Sequence, residues 1–203
     1  MQYGFYFDSG KCGACKACVM ACKDKNNTLV GSKFRKVIDY AAGTWEKKGD
    51  VLVPNGVGVY SISISCNHCA NPACVNACPS GAMHKREEDG IVCVDKERCI
   101  GCGSCAMSCP YGAPRVDEAT KVSSKCDMCL EYVEAGGRPA CVDACLMRCL
   151  DFGDIEELRS KYGQNADIEP LPHSSITNPS IVLAPSGRSL EGGSVINPPE
   201  ELL

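Results

Sequence analysis

The sequence predicts an α+β chain organised by its cysteines, with an insertion after its first segment and an extended C-terminal tail. Three observations predict it. Sixteen of the 18 cysteines in 203 residues fall into four groups of four between residues 12 and 145. The stretches around those groups read as short strands and short helices. The last 34 residues hold six of the 12 prolines, with many Ser, Asn and Gly, a composition that cannot build its own core. A chain of this length needs no disulfide staples to fold. Aromatics are only 6%, with one Trp, so something besides apolar packing helps to organise the interior. The formal charge of −4 argues against a nucleic-acid binder, which carries a basic stripe. No run of 18 apolar residues is present, so no membrane span is expected. Residues 1–10 lack the basic and apolar regions of a secretion signal.

The elements follow in order. Tyr3, Phe5 and Phe7 alternate, which predicts a strand entering the first cysteine group. Residues 16–25 read as a helix carrying Cys18 and Cys22. Phe34–Tyr60 is an insertion, with a turn at Pro54-Asn55-Gly56 and a strand over Val57–Ile64. A strand over Ile91–Val94 precedes the third group and carries Cys93, read as a buried apolar thiol. Asp154 with Glu157 forms a capping box that starts a helix, and Gly163 ends it. In the tail, Ile176, Ile181, Val182, Leu183 and Val195 are expected to anchor it around a partner.

The groups are Cys12, Cys15, Cys18, Cys22 (C-x2-C-x2-C-x3-C) and Cys66, Cys69, Cys74, Cys78 (C-x2-C-x4-C-x3-C). Cys99, Cys102, Cys105, Cys109 repeat the first spacing; Cys126, Cys129, Cys141, Cys145 have eleven residues between the second and third members. Cys93 and Cys149 are left over. Disulfides fit badly, because close neighbours compete for partners and nothing marks the chain as secreted. Structural zinc wants two short pairs separated by a finger, and only the fourth group looks like that. The first and third groups match the bacterial ferredoxin run, in which three thiolates wrap one cubane and the fourth ligates the other cluster. Cys78-Pro79 and Cys109-Pro110 complete that signature. The spacing therefore predicts four [4Fe–4S] clusters in two ferredoxin-like modules. Two pairings satisfy crossed ligation, nested or sequential, and spacing does not choose between them.

Small residues, among them Gly13, Ala14, Gly101 and Gly103, let backbone N–H groups approach a cluster. Four oxidised cubanes with their thiolates add about −8 to the charge. Lys11, Lys16, Lys23, Lys25, Arg98 and Lys125 lie near ligands in sequence and are candidates to offset it, or are ordinary solvated cations. His68 reads either as a donor near a cluster or as a side chain behind the ligands or at the surface. There is no Gly-rich phosphate loop, HExxH or GxSxG. With every ligand position filled by protein sulfur, the expected role is passing single electrons, with no catalytic residue.

The residues resemble a known family, the iron–sulfur electron-transfer subunit of dimethyl sulfoxide reductase and its molybdopterin-enzyme relatives. The likeness runs almost end to end. It includes Gln2-Tyr3-Gly4-Phe5, Ala21-Cys22-Lys23-Asp24, Phe34-Arg35-Lys36, Asp39-Tyr40-Ala41 and Trp45. Most specific are Ser63-Ile64-Ser65-Cys66-Asn67-His68-Cys69 and Cys78-Pro79-Ser80-Gly81-Ala82-Met83-His84-Lys85-Arg86. Cys99-Ile100-Gly101-Cys102, Cys109-Pro110-Tyr111-Gly112-Ala113-Pro114, Leu150-Asp151-Phe152-Gly153 and Leu171-Pro172 follow.

The resemblance implies nested modules related by a pseudo-twofold. Residues 1–33 and 115–160 would form the outer module, 34–60 the insertion, 61–114 the inner module and 161–203 the partner-wrapping tail. One cluster would be held by Cys12, Cys15, Cys18 and Cys145, and its neighbour by Cys126, Cys129, Cys141 and Cys22. The inner pair would use Cys66, Cys69, Cys74 with Cys109, and Cys99, Cys102, Cys105 with Cys78. Relatives such as respiratory nitrate reductases lack a Cys at the Cys102 position and hold a three-iron cluster; its presence here implies four cubanes. Two departures stand out. Cys145 is followed by Leu146 where the family has Pro, and Cys149, one helical turn on, is a rival ligand. Cys145 is retained because it keeps the C-x3-C spacing.

The resemblance also implies partners: a catalytic subunit carrying molybdopterin and a quinol-oxidising integral membrane anchor, which this chain would connect. The complex would sit on the cytoplasmic membrane, at its outer (periplasmic) face if exported folded with the catalytic subunit and at its cytoplasmic face otherwise. The alternatives are the wiring subunit of a formate dehydrogenase or hydrogenase-type complex, a structural zinc protein, and a free polyferredoxin.

Overall fold

A computed structural model describes residues 1–203 except Leu29, Arg188, Ser189, Glu191 and Leu203. Four of those five positions fall in the tail span read from the sequence. In chain order the elements are β1 (Tyr3–Asp8), α1 (Ala17–Asn26), β2 (Lys36–Lys48), β3 (Val51–Ile64), α2 (Ala73–Asn76), β4 (Met83–Lys85) and β5 (Val92–Val94). Then come α3 (Ser104–Ser108), β6 (Arg115–Val116), β7 (Ser123–Ser124), α4 (Leu130–Glu134), α5 (Ala140–Asp143) and β8 (Leu150–Asp154). The chain ends with α6 (Ile155–Tyr162), a 3-10 turn (Ser174–Ile176), β9 (Ile181–Ala184), β10 (Ser194–Val195) and α7 (Pro199–Leu202). The result is a mixed α/β chain whose sheets are small and whose helices are mostly single turns.

β1 is the central strand of a three-stranded sheet, antiparallel to β8 and parallel to β9. Its alternation is the one read from the sequence: Phe5 and Phe7 face the main core with Cys18, Met128, Cys141 and Cys145. Tyr6 points the other way, packs with Ile155, Leu158 and Val182, and stacks on Tyr162 at 3.6 Å between ring centroids. α6 covers that second face. Asp154 caps it, accepting hydrogen bonds from the backbone N–H groups of Glu156 and Glu157, and Gly163 ends it.

The tail corrects one expectation. Ile181, Val182 and Leu183 are buried against this chain's own β1, so those anchors serve its own sheet, and β10 adds to β2. The physical reason is that β1, buried on both faces, needs a partner on each edge. Of the other two anchors, Ile176 is exposed and Val195 borders on it.

The insertion is a long hairpin, with β2 between β3 and β10. Its base is buried through Val37, Tyr40, Tyr60, Ile62 and Ile64, while Trp45, Val51 and Leu52 near the tip are exposed. Pro54-Asn55-Gly56 is not the turn. The chain reverses at Gly49-Asp50, and residues 54–56 lie within β3, opposite a register shift between Ala42 and Thr44. β3 is an edge strand, where a missing N–H is tolerated. Gly43, at φ +98°, has no room for a Cβ against Gly56, which is what the bulge requires.

Candidate functional site

Each C-x3-C pair rides on a short helix, because residues four apart share a face. Cys18 and Cys22 lie on α1; Cys74, Cys105 and Cys141 lie on α2, α3 and α5, with Cys78, Cys109 and Cys145 just beyond. α1 packs against α5 and α2 against α3. The loop before each helix turns at one recurring position. The residue preceding the second cysteine is left-handed in all four groups: Ala14 (φ 53°), His68 (φ 43°), Gly101 (φ 68°) and Met128 (φ 60°). Only Gly101 suits this without strain, and a Cβ there would also run into the Lys121 carbonyl. The other three each cost roughly 1–2 kcal/mol. Ala14, named with Gly13 among the small residues, is the turning residue of the first group, and Lys16 is left-handed as well.

Three cavities of similar size are lined by cysteines. Cys12, Cys15, Cys18, Cys145 and Cys149 surround one of about 20 Å³. Cys66, Cys69, Cys74 and Cys109 surround a second of about 20 Å³. Cys78, Cys99, Cys102 and Cys105 surround a third of about 20 Å³. The remaining four of the sixteen grouped cysteines, Cys22, Cys126, Cys129 and Cys141, are all buried. Burial pushes the Cys22 thiol up to about 12, with Cys141 and Cys129 adding to the rise. Burial likewise raises Cys126, helped by Cys22. The sets also share apolar packing: Cys18 and Cys141 belong to one buried cluster, Cys66 and Cys126 to a second, and Cys74 and Cys105 to a third. Among the described residues no three His, Cys, Asp or Glu side chains converge as a single-ion site. The fourth group in particular is divided, since Cys145 lines the Cys12 cavity.

The sulfurs collect polar hydrogens. Ser63 Oγ lies 3.3 Å from Cys18, Ser104 Oγ 3.4 Å from Cys102 and Ser123 Oγ 3.3 Å from Cys105. Backbone N–H groups of Met83, Ser123 and Met128 donate to Cys78, Cys99 and Cys126 at 3.3, 3.3 and 3.4 Å.

Two features test whether an anionic group with sulfur acceptors suits this interior. The first is a pair of buried cations. Arg35 is 2% and Lys125 5% exposed, and neither has a carboxylate partner among the described residues. Arg35 donates to Ser63 and Ser65, and Lys125 to the carbonyls of Val92 and Cys126. Burial opposes both charges, but Cys141, Cys18, Cys126 and Cys22 around Arg35, and Cys66, Cys126, Cys93 and Cys74 around Lys125, outweigh it and raise both pKa values. An unpaired buried charge costs several kcal/mol, so an anion beside each is what the interior lacks. The second feature is a set of buried polar atoms without partners. Asn67 Nδ2, Tyr111 OH and Thr177 Oγ1 have none, and all three residues line the Cys66 cavity. Cluster sulfurs would accept from them. The residues fit the group.

Sequence reasoning found Lys125 and missed Arg35. Of the other cations it named, Lys16 lines the Cys12 cavity while pairing with Glu201; Lys11 pairs with Asp8 and Lys25 with Glu131, and Lys23 donates to the Ser32 carbonyl and Arg98 to the Ser80 carbonyl. His68 is not a surface residue. It is fully buried, its Nδ1 accepts from Val92 N–H at 3.0 Å, and burial holds it neutral. Cys93 is half-buried, on β5 opposite His84.

A family model described as a 4Fe-4S dicluster domain matches residues 57–155. One chain of the anaerobic dimethyl sulfoxide reductase of Shigella flexneri is 49% identical over 192 residues, covering 95% of this chain and 93% of its own. The chain of the same name from Haemophilus influenzae is 49% identical over 185 residues, covering 91% and 90%. A tetrathionate reductase subunit of Salmonella typhimurium is 36% identical over 89% of this chain and 71% of its own. With almost the full length matched at about half identity, this chain therefore belongs to the family of iron–sulfur electron-transfer subunits of anaerobic dimethyl sulfoxide reductase.

Proposed function

We propose that the chain carries four [4Fe–4S] clusters and relays single electrons between a quinol-oxidising membrane anchor and a molybdopterin-containing catalytic subunit. The ligand sets are Cys12, Cys15, Cys18 with Cys145; Cys126, Cys129, Cys141 with Cys22; Cys66, Cys69, Cys74 with Cys109; and Cys99, Cys102, Cys105 with Cys78. The observation that carries the reading is the grouping of cysteines around the cavities, which joins the first group to Cys145 and exchanges the fourth members of the second and third. The packing of α1 on α5 and α2 on α3 supports the nested modules, outer (1–33 and 115–160) around inner (61–114). The buried apolar clusters shared between neighbouring sets support a linear order, Cys12 site, Cys22 site, Cys66 site, Cys99 site. Each cluster, when bound, supplies a one-electron carrier. The protein's part is to hold the sulfurs, to offer hydrogens to them, and to keep Arg35 and Lys125 charged between sites.

Partners of this kind are supported by the names of the relatives, which are components of reductases of dimethyl sulfoxide and of tetrathionate. No helix among the described residues is long and apolar enough to cross a membrane, so attachment is assigned to the anchor, with the complex on the outer face of the cytoplasmic membrane. Anaerobic purification with co-purifying subunits tests the reading. About 16 iron and 16 sulfide per chain are expected, with molybdenum in the same peak. Zinc replacing four iron would break the nested ligation, and zinc without iron would end the electron-transfer reading.

A further inference from the structure

The Cys12 cavity differs from the other two in one respect. They are each lined by four cysteines, and it is lined by five. The fifth, Cys149, is 3% exposed. Its Sγ lies 3.4 Å from Cys145 Sγ, and it lines the same cavity wall as Cys12. The segment joining the two cysteines is not the helical turn their spacing suggests. It is a tight reversal closed by Arg148 N–H on the Cys145 carbonyl at 3.1 Å, with Arg148 left-handed at φ 52°. That reversal folds Cys149 back over Cys145. The position is then fixed by the Cys149 carbonyl, which accepts from Asp8 N–H of β1 at 2.9 Å. A cysteine serving only as a small apolar filler has no need to meet another thiol at the wall of a metal cavity.

We propose that Cys149 is a reserve ligand of the Cys12 site, able to take the iron that Cys145 serves. This rests on the ligand set proposed above. The exchange is redox-neutral. The iron–Sγ bond of Cys145 breaks as that of Cys149 forms, and the Cys149 thiol proton crosses the short S···S contact to Cys145. Iron keeps its oxidation state, and no oxidant or reductant is consumed. The Cys99 site has no such reserve: among the described residues its cavity holds only its own four cysteines.

The test uses the full chain purified anaerobically with its co-purifying subunits, and reads iron and sulfide per chain and the EPR spectrum of the oxidised protein. Cys145→Ala and Cys149→Ala should each keep the wild-type iron and show no three-iron signal. The double variant should lose between about one and four iron per chain, one cluster at most. Cys145→Ala alone losing as much iron as the double variant would overturn the proposal. Loss of iron from Cys149→Ala alone would overturn it differently, by making Cys149 the resident ligand. A double variant with full iron would refute the ligand set itself. Where Cys145→Ala does not accumulate, Cys145→Ser is read by its reduced-state spectrum. That spectrum should match wild type with Cys149 present and change when Cys149 is removed; a change already present with Cys149 in place would overturn the proposal.

Discussion

The Cys12 and Cys99 cavities each bring one cysteine to the surface, Cys15 and Cys102, and each has exposed apolar neighbours, Leu146 and Met147 beside one, Ile100 and Met107 beside the other. They treat their remaining sulfurs differently. Around Cys99 every sulfur has a hydroxyl or amide hydrogen within reach: Ser80 and Met83 for Cys78, Ser123 N–H for Cys99, Ser104 for Cys102, Ser123 Oγ for Cys105. Around Cys12 the contacts are Ser63 on Cys18 and a thiol on Cys145, with the Arg35 charge close behind. Hydrogen bonds and local charge both set cluster potentials. One cavity thus offers its sulfurs many neutral donors, and the other offers cations and a spare thiol.

The largest expected effect breaks the symmetry of the two cavities outright. Cys102→Ala should cost about one iron per chain and produce a three-iron EPR signal, since a cubane missing one thiolate releases that iron; an unchanged iron count would mean the Cys99 site also holds a reserve. Next is Arg35→Gln. Removing a buried cation within several ångströms of an anionic site should lower its potential on the order of 50 mV or more. An EPR-monitored redox titration should show this at the Cys12 and Cys22 sites and not at the Cys99 site; a uniform shift would refute the local account. Smaller still, Ser123→Ala removes one hydroxyl from Cys105. At about 1 kcal/mol per hydrogen bond, the Cys99 site should fall by roughly 40 mV, with the Cys12 site as internal control.

The smallest effect concerns the framework beside the Cys12 site. Burial opposes the Asp151 charge, but hydrogen bonds from Tyr162, Phe152 N–H and Lys161 hold its pKa below the usual 3.8. A depressed carboxylate stabilises the fold above its unfolded pKa, and that stability is lost as pH falls through the folded value. Asp151→Asn should therefore unfold at lower urea than wild type at pH 7. The gap should begin to close once the pH drops below about 3.8.

Cysteine spacing and hydrophobic alternation made much of this legible. The strand of Phe5 and Phe7, the helix of Cys18 and Cys22, and the cap at Asp154 are local signals, and each lies where the sequence put it. What escaped was set at long range. Arg35 stands among Phe34 and Lys36 as if on a surface, and its burial depends on Ser63 and Ser65, 28 and 30 residues away. The one available hint was those serines alternating with Ile62 and Ile64 on a strand. Pro54 misled because its meaning depends on whether β3 is an edge. Ile181–Leu183 misled because a proline-rich tail does not announce which strand it will pair with.

β1 precedes every other described strand, yet both its neighbours, β8 and β9, come from beyond residue 149. At roughly 5–20 residues per second, it waits on the order of 10 to 30 s on the ribosome before either exists. The Cys66 and Cys99 cavities, by contrast, have almost all their walls once residue 123 has emerged; only Thr177 of the former comes later. Iron is therefore expected to enter this chain from the middle outwards, with the Cys12 loop left open until residues 145–150 have emerged.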